Sequence, residues 1–296
     1  MMQFGIYVPN FGEYGDPHNL LTLASEAEAA GWDGFFLWDH LLLYRQADIP
    51  VVDAWVALAA IAARTERMRL GPMITPAARR RPWKLAREVV SLDHLSRGRA
   101  ILGVGLGAPA DAEFQCFGED PADRVRAHKL DEALSILDGL ERGESFQHQG
   151  EYFHIEAVTF LPRPVQTPRV PIWVAGFWPN KAPLRRAARW DGVFPLKMPP
   201  VPPIGLSPSS ITWLALWLTP AELRESITFV RQQRTAEGPF DIVASGATPV
   251  NERAKAREVV AAFQEAGATW WLEWLDEQRG TFAQMREHIR KGPPRI

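Results

Sequence analysis

The sequence predicts an α/β protein, a (β/α)8 TIM barrel, from three observations. Short apolar runs alternate along the chain with amphipathic segments of helical period. The clearest unit lies between Met68 and Gly107. There the runs Met68 to Thr75 and Ala100 to Leu106 flank Pro82 to Leu95, in which Trp83, Leu85, Ala86, Val89, Val90 and Leu92 recur at helical spacing. Parallel strands require such a crossover. The helix-to-strand joints also carry turn chemistry, at Gly31, Gly98, Gly267 and the Trp190-Asp191-Gly192 turn. A doubly wound open sheet alternates in the same way, but usually with fewer strands, and eight strand–helix units in 296 residues favour closure.

Strand one is Phe4 to Val8, ended by Pro9-Asn10-Phe11-Gly12, and a helix over about Leu20 to Ala30 stops at Gly31. Phe35 to Trp38 is apolar throughout, as a strand buried on both faces must be, and breaks at Asp39-His40. Asp53 can cap a helix running to about Ala63, and Met68 to Thr75 is strand three. After strand four, Arg124 to Leu140 repeats Leu130, Ala133, Leu134, Ile136, Leu137 and Leu140 as a helix. Gln147 to Phe160 is an extended excursion turning at Gly150-Glu151, and strand five is Pro171 to Ala175. The second half continues with helix Ala182 to Arg189, strand Gly192 to Phe194, helix Pro220 to Arg234 and strand Asp241 to Ala244. Helix Glu252 to Ala266, strand Thr269 to Trp274 and helix Thr281 to Ile289 complete it.

No linker-like break interrupts the chain, so residues 1–296 are expected to form one domain. Hydrophobic residues make up 46%, enough for a large core, and a net charge of −2 supplies no cationic face for nucleic acid or an anionic membrane. The lone Cys116 rules out an internal disulfide, has no neighbouring histidine in sequence, and suits a reducing compartment. MMQFGIYVPN lacks the basic and apolar regions of a signal peptide, which makes a cytoplasmic location the expectation. Met198 to Ala221 is uncharged and long enough to span a membrane, but Pro199, Pro200, Pro202, Pro203 and Pro208 forbid a regular helix. We read it as an insertion after strand six, greasy through Trp213, Leu214, Leu216, Trp217 and Leu218, serving as a lid or as a dimer contact.

In a parallel barrel, functional loops follow the carboxyl ends of the strands. Asn10, Phe11, Asp39, His40, Thr75, Gly105, Gly107, Glu113, Gly176, Trp178, Asn180, Ser245, Gly246 and Glu273 all fall there. His40 is a residue type that moves protons near neutral pH, and Asp39 can orient a partner; equally, the pair could cap a turn and bond a neighbouring strand. Neither HxH nor HExxH occurs, so no metal is expected at the site. Gly103-Val104-Gly105-Leu106-Gly107 fails as a dinucleotide fingerprint because Pro109 interrupts it and no helix opens from it. Val174 to Asn180 reads as a glycine turn opening onto a helix, either a phosphate site or an ordinary turn. Arg79, Arg80 and Arg81 are either a solvated face or a clamp for an anionic ligand.

Taken together, these pieces resemble a known family. The glycine-led strand ending in Thr75, the arginine loop, SLDHLSRGR and ILGVGLG, joined with Asp39-His40-Leu41, RPVQTPRVPIWVAG at Arg163 to Gly176 and ARWDGVFP at Ala188 to Pro195, are similar to the luciferase-like monooxygenases over nearly the whole chain. The resemblance implies a flavin-type oxidoreductase using either the deazaflavin coenzyme F-420 (F420), slightly favoured, or flavin mononucleotide (FMN) with oxygen as a monooxygenase, acting on a small organic substrate. It places Asp39 and His40 beside the ring as catalytic residues, and cofactor contacts at Thr75, Gly105, Gly107, Gly176, Phe177, Trp178 and Asn180. Phe177 departs from the small residue that family members often carry there. Asn10, Phe11, Glu113, Trp213, Trp217 and Glu273 are the expected substrate contacts, and a homodimer the expected assembly. A flavin-binding barrel without catalysis and a metal-dependent hydrolase barrel are the rival readings.

Overall fold

The structure is a computed structural model describing residues 1–43, 48–198 and 217–296. Its barrel strands are β1 (Gln3–Val8), β2 (Gly34–Leu37), β3 (Arg69–Pro72), β4 (Thr75–Pro76) and β5 (Leu102–Gly105). They continue as β8 (Ile172–Trp178), β9 (Gly192–Lys197), β10 (Asp241–Gly246) and β11 (Trp270–Trp274), while β6 (Ser145–Gln149) and β7 (His154–Thr159) form a separate antiparallel hairpin, the expected excursion. The sheet runs β3-β2-β1-β11-β10-β9-β8-β5-β4. Leu70 bridges Ala100 in parallel and β4 pairs with β5, so the third stave touches both neighbours and the barrel closes. That stave is broken at Met73-Ile74, where the sequence suggested one continuous strand.

The outer layer contains α1 (Pro17–Ala29), α2 (Ala54–Arg64), α3 (Pro82–Ser96), α4 (Ala110–Glu113), α5 (Asp123–Glu141), α6 (Lys181–Ala187), α7 (Pro220–Gln233), α8 (Arg253–Glu265) and α9 (Phe282–Arg290). Asp53 caps α2 by accepting the Val56 N–H at 2.9 Å, as expected. α1 begins a turn earlier than expected because Asp16 caps it and Pro17 occupies its first position. Gly31 ends it at φ +86°, a conformation side chains resist. Among the described residues no helix is long and apolar enough to cross a membrane.

Strand parity divides the core in two. Trp270, Leu272 and Trp274 face the barrel interior beside Tyr7, Phe36, Trp38, Trp173 and Phe194, while Trp271 joins the layer beneath the helices. Two glycines make room for those rings: a Cβ on Gly5 would lie 2.9 Å from Phe36, and one on Gly34 would lie 3.0 Å from Trp270.

Glu273, expected to touch substrate, faces this outer layer instead. It is fully buried and accepts from Trp271 Nε1 at 2.8 Å, Arg279 Nη1 at 2.7 Å and the Thr248 N–H at 2.9 Å, with His288 Nε2 at 3.1 Å. Burial alone would raise its carboxyl, but the His288 hydrogen bond and the Arg279 charge overcome that and hold it at about 2. A depressed carboxylate contributes stability that is present above its unfolded value and lost as pH falls toward its folded one. Glu273→Gln is therefore expected to cost on the order of 3 kcal/mol at neutral pH. The gap from wild type should close between about pH 4.5 and pH 2 in denaturant titrations. A pH-independent gap would show that the carboxylate charge is not what stabilises this cluster.

Candidate active site

The carboxyl ends of the strands surround a cavity of about 520 Å³, a volume suited to a cofactor-sized ligand. Tyr7 from β1, Trp38, Asp39 and His40 after β2, Ile74 at the stave break, Gly105 and Gly107 around the end of β5, Gly176 and Phe177 from β8, Leu196 from β9 and Trp274 from β11 line it. Burial pushes the Tyr7 phenol above its ordinary value, so it stays protonated.

His40 is the cavity residue whose chemistry is best defined. Asn10, itself buried, donates to the His40 carbonyl at 2.9 Å, accepts the His40 N–H at 3.2 Å, and ties the pair to the Val52 carbonyl at 2.7 Å. Phe11 and Trp38 flank the imidazole with ring centroids 5.8 and 5.7 Å away. Nδ1 lies 2.8 Å from Glu113 Oε1. Glu113 also accepts from Arg79 and from the Leu41 N–H at 3.2 Å, so its oxygens act as acceptors and the imidazole proton belongs on Nδ1. Nε2 points away from this bond and has no protein partner among the described residues.

Asp39 is almost fully engaged. Its Oδ2 accepts from Thr75 at 2.8 Å, Arg80 at 2.9 Å and Trp55 at 3.3 Å, and its Oδ1 from Arg79 at 3.1 Å. Arg79, 4% exposed, spans Asp39 and Glu113; burial pulls its guanidinium below the ordinary value and the two carboxylates pull back. Arg80 completes the network with Glu88 at 3.2 Å, while Arg81 is exposed. The solvated reading of the arginine loop fits Arg81 alone: Arg79 and Arg80 are internal counter-ions.

Several expected contacts move. Asn10 and Glu113 position His40 from beneath, Phe11 packs on its ring, and Thr75 is fully buried against Asp39; none of these four lines the cavity. β8 runs on to Trp178, so Gly176 and Phe177 are strand residues and not a turn. A Cβ on Gly176 would collide with Pro183, which makes the glycine a requirement of α6 packing. Trp178 turns away to the outer core beneath Lys181 Nζ at 3.6 Å. Asn180 lines the cavity and also caps α6, accepting the Ala182 N–H at 3.1 Å, so the loose donors expected of a phosphate turn are partly satisfied by the chain itself. β10 likewise absorbs Ser245 and Gly246. Trp217 packs against Trp274 with centroids 6.0 Å apart, on the barrel side; Trp213 lies outside the described residues.

Tyr7, Trp38, Ile74, Leu196 and Trp274 were missed. In strands apolar on both faces, composition gives no parity, so inward positions cannot be told from outward ones. Arg126 was missed too; it reaches back to the Leu106 and Gly107 carbonyls at 3.0 and 2.6 Å and fixes the loop after β5.

The fit of a flat heterocycle is supported by the wall of small or apolar groups formed by Ile74, Gly105, Ala175 and Gly176. The curated F420-dependent glucose-6-phosphate dehydrogenase of Microbacterium testaceum is 33% identical over 179 residues, 60% of this chain and 52% of that protein. The chain spans about half the length of the curated relatives it matches. The coenzyme F420-dependent tetrahydromethanopterin reductase of Methanopyrus kandleri superposes with a TM-score of 0.73 at 15% identity, over 97% of this chain and 96% of that one. The oxygenating constituent of 3,6-diketocamphane monooxygenase from Pseudomonas putida, solved with FMN, gives 0.69 at 16%, over 100% and 99%. Both share the barrel. The luciferase-like monooxygenase family model matches residues 2–201, about two thirds of the chain and the part that carries the His40–Glu113–Arg79 network, and the chain belongs to that family.

Proposed function

We propose that this protein is an F420-dependent oxidoreductase that interconverts a small organic alcohol and its carbonyl, with His40 as proton acceptor. The observation that carries the reading is His40 at the cavity wall with Nδ1 held by Glu113 at 2.8 Å and Nε2 without a partner among the described residues. Oxidation of an alcohol releases a proton as well as a hydride, and an imidazole held through Nδ1 with Nε2 facing the ligand is placed to take that proton. Ile74, Gly105, Gly107, Ala175 and Gly176 would hold the deazaflavin, which would supply a two-electron, hydride-accepting ring. Phe177, Asn180 and Arg124 border the same cavity and would meet its polar extension. Asp39 and Arg79 keep His40 and Glu113 in place, and the apolar walls exclude water from the proton transfer. A cytoplasmic homodimer belongs to the same proposal.

Titration of the purified protein with F420 and with FMN, followed by absorbance and by quenching of tryptophan fluorescence, tests the cofactor. Saturation by F420 at concentrations at least about tenfold below those needed for FMN is expected, because relatives matched by sequence, those of Microbacterium testaceum and Kineococcus radiotolerans among them, are F420-dependent dehydrogenases. Tighter binding of FMN would move the reaction to flavin and oxygen, and saturation by neither would sink the redox reading.

A further inference from the structure

We infer that the substrate is an uncharged molecule with an aromatic or alicyclic body and one hydroxyl or carbonyl group, and not a phosphorylated sugar; this rests on the function proposed above. The cavity wall beside His40 is aromatic. Trp38 and Trp274 lie 4.8 Å apart between ring centroids, and Tyr7 lies 5.7 Å from the first and 5.2 Å from the second, so the three rings form one continuous surface. Leu196 and Met73 extend it.

Among the described residues, the cations around the cavity other than Arg124 are spent elsewhere. Arg79 and Arg80 neutralise Asp39 and Glu113. Arg186 makes a two-pronged pair with Asp131 at 2.6 and 2.8 Å, and Arg126 serves backbone carbonyls and Asp123. Among the described residues, Arg124 is the arginine lining the cavity without an acidic partner, and it is carried by α5, not by the strands that bear the aromatic wall. Among the described residues lining the cavity, no lysine or arginine comes from the strands that bear this aromatic wall, so a phosphate dianion set against Tyr7, Trp38 and Trp274 would lose its hydration without a counter-charge, a loss far larger than any contact there returns. A neutral ring gains both apolar burial and edge contacts on the same surface, leaving His40 Nε2 to select the one polar group.

The test uses the full chain without cofactor and reads binding by thermal shift and tryptophan fluorescence, with 1-phenylethanol, glucose 6-phosphate and inorganic phosphate as probes. 1-Phenylethanol is expected to saturate about 10²-fold more tightly than glucose 6-phosphate. Trp274→Leu and Trp38→Leu should each weaken it about tenfold, while F420 affinity read by absorbance changes less than about threefold. The wild-type ranking decides the question even where a variant fails to fold. Tighter binding of glucose 6-phosphate, weakened by salt and by Arg124→Ala, would overturn the inference, as would saturation by neither organic probe. Failure of F420 to bind while 1-phenylethanol still ranks first would remove the cofactor reading and leave this one standing.

Discussion

His40→Ala is expected to lower turnover of an alcohol with F420 by about 10²- to 10⁴-fold while F420 affinity changes less than about threefold. The imidazole is attached to the fold through its backbone, by the paired Asn10 bonds, and through Nδ1, by Glu113, so removing the ring leaves both supports standing. What disappears is Nε2, the acceptor at the cavity wall. Glu113→Gln should have a smaller effect, about tenfold, because an amide can still meet Nδ1 through its oxygen but no longer fixes the tautomer by charge. Stopped-flow kinetics, with circular dichroism to verify folding and a separate F420 titration, distinguish these outcomes. Wild-type turnover in folded, F420-saturated His40→Ala would take the histidine out of the chemistry.

Arg79→Leu is expected to destabilise the protein by about 3 kcal/mol, since it strands two carboxylates, Asp39 and Glu113, that are 4% and 1% exposed. The loss should be partial because Asp39 keeps Arg80 and Thr75, and Glu113 keeps His40 and the Leu41 N–H. Arg79→Lys should fall between, because one ammonium cannot bridge both acids as a guanidinium fork does. The measurement is the midpoint of denaturant unfolding at unchanged slope. A change below about 1 kcal/mol for the leucine variant would mean that hydrogen bonds from the remaining partners, and not the Arg79 charge, hold the network. Turnover should fall with stability in this variant, because Glu113, and through it His40, loses its fixed position.

The barrel was legible because it is written in local terms. Helical spacing in Pro82 to Leu95, the cap at Asp53 and the stops at Gly31, Gly98 and Gly267 each follow from a few neighbouring residues, and the structure places helix, cap and joints there. The loop-end rule also brought Asp39, His40, Gly105, Gly107, Gly176 and Asn180 to one cavity, since every parallel strand delivers its carboxyl end to the same face. Spacing could not show which way a side chain turns on a strand that is apolar on both faces. Glu273 was therefore placed in the site although it faces the outer layer, while Trp274, one residue later, lines the cavity and was passed over. Nor could spacing assign partners to charges. Arg79 read as a solvated cation or an anion clamp because Asp39 and Glu113, 40 and 34 positions away, meet it only when strands two, three and four are side by side. The sequence by itself determined the barrel and the face that carries the chemistry, through short-range periodicity. The tertiary structure decided which polar groups are consumed within the protein and which remain for a ligand, because that depends on closing distances between residues far apart in the chain.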